Sequence, residues 1–182
     1  MPTFETPRLI LRPPAASDID ALDEMDSDPE VMRYIGDGSV RARTKTETAA
    51  MVAASARGWD KRGYGWLAVA SPESDEFLGW VSLGVPEFLP EVLPAVEIGW
   101  RFLRKHWGRG YATEAARPLL HYGLTDCGIE RILSIRHMDN IASQRVMEKL
   151  GLRFDHETVV PKVEQPVAVH AITRAEYDGQ AG

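Results

Sequence analysis

The feature that most constrains this chain is a turn with two closely spaced glycines, Gly108-Arg109-Gly110. An apolar stretch of strand character, Ala95 to Leu103, precedes the turn, and an amphipathic stretch of helical character, Gly110 to Asp126, follows it. Glycine lets the backbone curl tightly and lets a ligand approach it, because no Cβ stands in the way. The free N–H groups and the positive dipole end of the following helix favour an anion. The pattern therefore predicts a strand–turn–helix unit that binds an anion at the turn.

Positive charge is concentrated around this turn, although the whole chain has a net charge of −6. The segment from residue 101 to 109 contains no acid and four fixed cations, which are Arg101, Arg104, Lys105 and Arg109. Backbone donors, a helix terminus and flanking cations together predict a cradle for a diphosphate. The Lys-Ser/Thr pair of an ATP-type P-loop is missing, so the pattern does not indicate hydrolysis of a Mg²⁺-bound nucleotide. A tight turn with solvated surface charges is the alternative interpretation.

The composition is typical of a soluble globular protein, with 44% hydrophobic and 26% charged residues. The length suits a single domain, which we place at residues 1–182. The one cysteine, Cys127, excludes an internal disulfide and a zinc knuckle, and we expect no metal site. The acidic balance argues against a nucleic-acid partner. Neither a membrane span nor a secretory signal is visible, so we expect a cytoplasmic protein without a membrane partner.

The order of the predicted elements, β-α-α-α-β-β-β-α-β-α-β-β, indicates a mixed α/β sheet. Consecutive strands in the first half distinguish it from a doubly wound Rossmann pattern. The predicted strands cover residues 8–12, 66–70, 77–83, 95–103, 131–136, a short stretch near 154, and 167–173. The predicted helices cover a segment that begins at Ser17 or Asp18, a short one from Pro29 to Gly36, and then 44–61, 110–126 and 141–150.

Four segments of the chain carry a family likeness. They are Thr6–Arg12, then Glu97–Leu103 with Trp107–Ala115, then Asn140–Leu152, and last Val167–Thr173. The second resembles motif A of the GCN5-related N-acetyltransferases (the GNAT family), with tryptophan in place of the first polar residue. The third is similar to the Asn-x-x-Ser…Lys-Leu-Gly-Phe segment of that family, with leucine for phenylalanine, and the outer two are similar to its first and last strands. The likeness is greatest to the RimJ/RimL branch, which acetylates the N-termini of ribosomal proteins.

The resemblance implies an α/β (α+β) fold in which helices flank a mixed, mostly antiparallel central sheet. In this family the fourth predicted strand splays away from the fifth, and the pantetheine arm of acetyl-CoA fills the gap. The resemblance further implies that backbone groups of Phe102 and Leu103 bind the pantetheine amides and that N–H groups from Gly108 to Thr113 bind the pyrophosphate. The implied acetyl-CoA-binding residues are Phe102, Leu103, Arg104, Trp107, Gly108, Arg109, Gly110, Tyr111, Ala112, Thr113, Asn140, Ser143 and Arg145.

The resemblance also implies direct attack of a primary amine on the thioester, so Cys127 is not needed as a nucleophile. Glu97 is the candidate base, with a strand-end salt bridge as its alternative role. Several family members place a tyrosine where this chain has Met147, and a thioether cannot donate a proton. Ser143, water or another residue is then left to protonate the thiolate. Asn140 precedes a predicted helix and is equally suited to an N-cap.

The acceptor is expected to be a protein N-terminus or a small cationic amine. The segment Asp18 to Glu30, with seven acidic residues and no basic one, mildly favours a cationic acceptor. The alternative function is a non-catalytic module that binds acyl-CoA or regulates another protein. The resemblance also allows a homodimer.

Overall fold

The computed structural model describes residues 1–40 and 43–179. Eight strands form one sheet in the order β1-β2-β3-β4-β5-β6-β8-β7. The strands are β1 (Phe4–Glu5), β2 (Ile10–Arg12), β3 (Trp66–Ala70), β4 (Phe77–Gly84), β5 (Val96–Phe102), β6 (Arg131–His137), β7 (Arg153–Val160) and β8 (Gln165–Thr173). The helices are α1 (Ile19–Ser27), α2 (Pro29–Met32), α3 (Lys45–Arg62), α4 (Tyr111–Leu124), α5 (Ile141–Lys149) and α6 (Arg174–Asp178).

The sheet is mixed and mostly antiparallel, as expected. The pair β5 and β6 is parallel, whereas the other neighbouring strands pair antiparallel. A parallel pair needs a long crossover connection, and the segment that contains α4 supplies it.

The sheet opens between β5 and β6. Their pairing is limited to Val96 with Ile132 and Glu97 with Leu133. By contrast, β4 and β5 stay paired as far as Phe102, and β6 and β8 stay paired as far as His137. Beyond Glu97 the two central strands therefore separate while each keeps its outer neighbour. The splay implied by the family likeness is thus present between the strands predicted as the fourth and fifth.

Side chains alternate between the two faces along each strand, so both faces of the sheet carry apolar residues. Helices cover both faces and bury these residues in two cores. On one face, α4 and α5 pack on a core that includes Leu67, Val81, Ile98, Phe102, Leu119, Ile132 and Met147. On the other, α1 joins a smaller core that includes Leu22, Met25, Ala68, Phe77 and Leu103, and Met51 and Val52 of α3 pack against it. Among the described residues, no helix is both long and apolar enough to cross a membrane.

The structure differs from the predicted elements mainly at the ends of the chain. The strand predicted near residue 154 is an eight-residue edge strand, β7, whose charged and mostly exposed residues lack an apolar alternation. β1 has two residues, which is too short for a periodic signal. α6 was not predicted, although Thr173 and Glu176 form a capping box, a pattern that marks a helix start.

Candidate active site

The predicted glycine turn follows β5 directly. The chain makes one 3-10 turn at Arg104–His106 and then reaches Gly108, with φ of 73°, and Gly110, with φ of 81°. Both angles lie in the left-handed region that glycine adopts without strain. Gly110 is the N-cap of α4. The strand–turn–helix unit predicted from the sequence is therefore confirmed.

The turn carries a row of free backbone donors. The Trp107 N–H donates to the Arg104 carbonyl, and the first helical bond of α4 runs from Glu114 N–H to the Gly110 carbonyl. Between them, the N–H groups of residues 108–113 have no acceptor in the part of the chain that the structure describes. A Cβ added at Gly108 would meet open space. Six adjacent donors on an open surface at a helix N-terminus fit the oxygens of a diphosphate.

Two of the flanking cations add uncompensated charge. Arg104 and Arg109 are exposed, and neither forms an ion pair with the described residues. Lys105 lies 3.1 Å, from Nζ to Oε1, from Glu76, so part of its charge is compensated. Arg145 is exposed on α5. The mobile positive charge at the turn therefore comes mainly from Arg104 and Arg109.

Arg8 is a residue that the sequence reasoning did not connect with the turn. Its Nε donates to Glu114 Oε2 at 2.8 Å, and its guanidinium lies 4.8 Å from the ring centroid of Tyr111. These contacts fix the first turn of α4 against the segment that leads into β2. Because 106 positions separate Arg8 from Glu114, no local periodicity could have revealed the pairing.

The edge of β5 along the opening presents backbone groups from alternate residues. The Leu103 N–H donates to the Leu78 carbonyl of β4, so strand alternation directs the backbone groups of Phe102, Trp100 and Ile98 towards the opening. The Leu103 carbonyl accepts from His106, and the Phe102 carbonyl accepts from the Trp107 indole at 2.8 Å. The side chains of Phe102 and Leu103 are buried in the two cores. Of the two residues expected to bind pantetheine, only Phe102 therefore retains a free backbone donor. Trp100 adds a donor and an acceptor that the sequence reasoning missed, and Ile98 adds its carbonyl, because the register of β5 and β6 directs the Ile98 N–H to Leu133.

Glu97 lies where β5 and β6 separate. Desolvation raises the pKa of its carboxyl from 4.5 to about 7, and a hydrogen bond from the Ile135 N–H of β6 opposes this shift. The described residues provide no salt-bridge partner for this carboxylate, so the alternative role as a strand-end ion pair is not supported. A carboxyl with a pKa near neutrality can both accept and release a proton at physiological pH.

The start of α5 faces the same opening. Asn140 is the N-cap, and its Oδ1 accepts from the Ser143 N–H at 3.0 Å, which confirms the capping interpretation. Ser143 is half-buried one turn into the helix. Met147 is 1% exposed and packs in the core with α4. The position that carries tyrosine in several relatives thus holds an apolar packing group here.

A cavity of about 440 Å³, which we call the α3 pocket, lies between α3 and the face of the sheet formed by β3, β4 and β5. Its lining includes Asp26, Arg43, Met51, Arg62, Trp66, Trp80 and Arg101. Gly84 lines one end and is the register partner of Glu97, as Trp80 is of Arg101. Side chains four residues apart on a strand share a face, so the Glu97 side chain lies on the face that carries the α3 pocket.

Two other candidate chemistries find no support. The part of the chain that the structure describes contains no cluster of three or more metal-ligating side chains. Desolvation raises the pKa of the Cys127 thiol, and its Sγ contacts the Gly63 carbonyl beyond the C-terminal end of α3. A thiol with a raised pKa is a poor nucleophile, in agreement with the expectation that Cys127 is not catalytic.

Comparison with known proteins agrees with this geometry. The family model of the acetyltransferase (GNAT) domain matches residues 8–153. The FsC-acetyl coenzyme A-N(2)-transacetylase of Aspergillus fumigatus is 31% identical over 193 aligned positions, which cover 97% of this chain and 78% of that protein.

Two solved structures share the fold. A GNAT-family acetyltransferase from Bacillus anthracis superposes with a TM-score of 0.75 at 28% identity, covering 96% of this chain and 99% of that one. The ribosomal L7/L12 acetyltransferase RimL, in complex with coenzyme A, superposes with a TM-score of 0.74 over 94% of this chain and 98% of its own, and its 16% identity shows the fold alone. Since the family model covers most of the sequence and includes the glycine turn, the opening at Glu97 and the start of α5, this protein belongs to the GNAT acetyltransferase family, whose members use acetyl-CoA.

Proposed function

We propose that the protein transfers the acetyl group of acetyl-CoA directly to a primary amine bound in the α3 pocket. The observation that carries this proposal is the position of Glu97, which adjoins both the opening between β5 and β6 and the end of the α3 pocket at Gly84. An amine in the pocket and a thioester in the opening then meet beside one carboxyl whose pKa is near neutrality.

The residues around the opening suit the parts of acetyl-CoA, which supplies an activated acetyl thioester. The six N–H groups of residues 108–113, with Arg104 and Arg109, would hold the pyrophosphate. Backbone groups of Ile98, Trp100 and Phe102 would pair with the pantetheine amides, as an added strand pairs with a sheet edge. Asn140, through its amide NH₂, and the Ser143 hydroxyl extend this polar surface at the start of α5.

Glu97 takes the proton of the acceptor. Amines such as a lysine side chain have pKa values near 10.4 and carry this proton at neutral pH, so a base must remove it before attack. A carboxyl with a pKa of about 7 is a stronger base than an ordinary glutamate. Ser143 contributes the hydroxyl that we place near the leaving sulfur, because Met147 has no proton to donate.

The acceptor that we propose is the amine of a protein N-terminus or of a small molecule. The RimJ/RimL-like motifs favour the former, and the size of the α3 pocket suits either a few terminal residues or one small molecule. We propose further that residues 1–182 act as one acetyltransferase domain, since all eight strands join a single sheet. A single cysteine without a disulfide partner is in keeping with a cytoplasmic location.

The test is acetyl transfer by the purified protein. Release of the CoA thiol is followed with a panel of primary amines, and the product is identified by mass. We expect release that depends on the amine, with no acetyl group left on the protein when the amine is omitted, and unchanged rates for Cys127→Ser. Binding of acetyl-CoA without transfer to any peptide or small amine would contradict the proposal, and an acetylated protein intermediate would contradict direct attack.

A further inference from the structure

We propose that the acceptor amine also carries an anionic group, a carboxylate or a phosphate, and that arginines of the α3 pocket bind this group. The inference rests on the proposed function, since it concerns the acceptor of the same reaction. It departs from the sequence-based expectation of a cationic acceptor.

Positive charge exceeds negative charge on the lining of the α3 pocket. Among the described residues, one acid, Asp26, and three arginines, Arg43, Arg62 and Arg101, line it. One carboxylate oxygen of Asp26 accepts from Arg101 at 2.6 Å and the other accepts from Arg43. Asp26 is thus shared by two guanidinium groups, and Arg62 has no acidic partner among the described residues. A ligand with a negative charge would compensate this excess.

The donors of Arg101 are only partly used. Its side chain is 14% exposed, its guanidinium lies 5.2 Å from the ring centroid of Trp80, and its Nε is buried without a hydrogen-bond partner. Buried donors in proteins are nearly always paired, so the unpaired Nε shows that the hydrogen-bonding capacity of Arg101 is not used up by Asp26. An anionic oxygen is the strongest acceptor for such a donor.

The acidic run that favoured a cationic acceptor is largely engaged elsewhere. Asp18 pairs with Arg12, Asp20 pairs with Lys45, and Asp28 caps α2. Only Asp26 of this run lines the α3 pocket, and its two oxygens are occupied. The acidic residues therefore stabilise α1 and its neighbours, and the described lining offers no free carboxylate for a second ammonium group.

The Arg62 side chain extends from the C-terminal end of α3 so that its guanidinium lies beside Gly58 and 5.9 Å from the ring centroid of Tyr64. Arg101 is four strand residues from Glu97, or about 13 Å along β5. An acceptor of about dipeptide size therefore suits the span from Glu97 to Arg101. Between these ends, Trp66, Trp80 and Met51 offer an apolar wall for the body of the acceptor.

The experiment compares acceptors that differ only in the anionic group. Glycyl-L-phenylalanine and its C-terminal amide carry α-amines in nearly the same chemical surroundings, so their kcat/KM values at saturating acetyl-CoA are directly comparable. O-phosphoethanolamine against ethanolamine tests a phosphate as the source of negative charge, and spermidine tests a cationic acceptor. The two dipeptides are also titrated calorimetrically into the complex of the protein with CoA, so that recognition is measured independently of turnover.

We expect the dipeptide acid to exceed its amide by tenfold or more in kcat/KM and in affinity. Arg62→Gln and Arg101→Gln should each reduce that ratio by threefold or more, chiefly by raising the KM for the acid. Arg57→Gln is the matched control, since it removes the same charge from an exposed site on α3 outside the pocket lining. If O-phosphoethanolamine exceeds ethanolamine by a larger factor than the dipeptide acid exceeds its amide, the anion site is supported and phosphate is its ligand.

Equal or better use of the amide or of spermidine would overturn the inference, as would a preference for the acid that survives in both arginine variants. Binding of acetyl-CoA without binding or acetylation of any anionic member would also overturn it. Acetylation of spermidine alone would leave the proposed function standing and remove only the anionic acceptor. Failure to bind acetyl-CoA at all would remove the proposed function instead.

Discussion

Replacing Glu97 with glutamine keeps the shape of the side chain at the opening between β5 and β6 and removes its ability to accept a proton. Loss of a positioned general base lowers turnover by about 10²-fold, so we expect kcat to fall by about that factor while acetyl-CoA still binds. In the unaltered protein, kcat/KM should rise with pH through about 7 as the Glu97 carboxyl ionises. The variant should lack this rise of kcat/KM near pH 7. It should recover activity only at higher pH, where more of the acceptor amine is already deprotonated.

The same substitution has a predictable effect on stability. Below pH 4.5 the carboxyl is protonated in the folded and unfolded states alike, whereas between 4.5 and about 7 the unfolded state has already lost its proton. The free energy of unfolding therefore decreases as pH rises through this window. The difference between the two pKa values corresponds to a loss of at most about 3 kcal/mol in the free energy of unfolding, and partial exposure of the side chain makes this loss smaller. Glu97→Gln should remove this loss, so the variant should be more stable than the unaltered protein at pH 8.

Steady-state rates between pH 5.5 and 9, together with urea unfolding at pH 5 and pH 8, measure both effects. Glu157→Gln, on the exposed edge strand β7, is the control for loss of a carboxylate far from the opening. A fall in kcat of less than threefold, or an unchanged rise of kcat/KM near pH 7 in the variant, would refute the assignment of Glu97 as the base. Unchanged stability at pH 8 would refute the desolvation that raises its pKa.

Two further predictions concern acetyl-CoA. Gly110→Val places a β-branched side chain at a φ of 81° beside the free donors. The affinity for CoA, measured by calorimetry, should therefore fall tenfold or more, which is about 1.4 kcal/mol. Gly128→Val is the control, because it imposes similar backbone strain beyond the other end of α4 and should leave the affinity unchanged. Ser143→Ala should lower acetyl-CoA affinity and kcat/KM together by about fivefold, the value of one hydrogen bond of about 1 kcal/mol. A large loss of kcat at unchanged affinity would instead make Ser143 the proton donor to the leaving sulfur, and no effect on either would leave that proton to solvent.

Most of the central elements could be predicted because their signals are local. The apolar stretch before residue 104, the glycine pair and the amphipathic stretch after it specify β5, the turn and α4 within some 30 positions of one another. Asn140 was suited to an N-cap from its place before a helical segment, and its Oδ1 accepts the expected bond. Edge elements were harder, because β7 is bounded by solvent on one side and carries charges where a buried strand alternates apolar residues.

The functional assignments were harder to make from the sequence, because they depend on contacts between residues that are far apart in the chain. The acidic run from Asp18 to Glu30 was interpreted as a wall for a cationic acceptor, yet the ion pairs of Asp20 with Lys45 and of Asp26 with Arg101 depend on partners that only folding brings near. Asp26 meets Arg101 across 75 positions. The backbone of Leu103 was expected to contact pantetheine, but its carbonyl accepts from the His106 N–H of the 3-10 turn and its N–H donates to Leu78. The bond to Leu78 depends on the register of β4 and β5, which the sequence does not show.

The sequence by itself determined the family, the order of the strands and helices from β2 to β8, and the turn whose backbone suits a diphosphate, because these follow from residue type and short-range spacing. Only the tertiary structure decided where β5 and β6 part, how burial raises the pKa of Glu97, and which charges of the α3 pocket stay uncompensated. Those properties arise from desolvation and from contacts between residues far apart in the chain. Their strength depends on how closely distant groups approach and how much water they lose, and a linear pattern records neither.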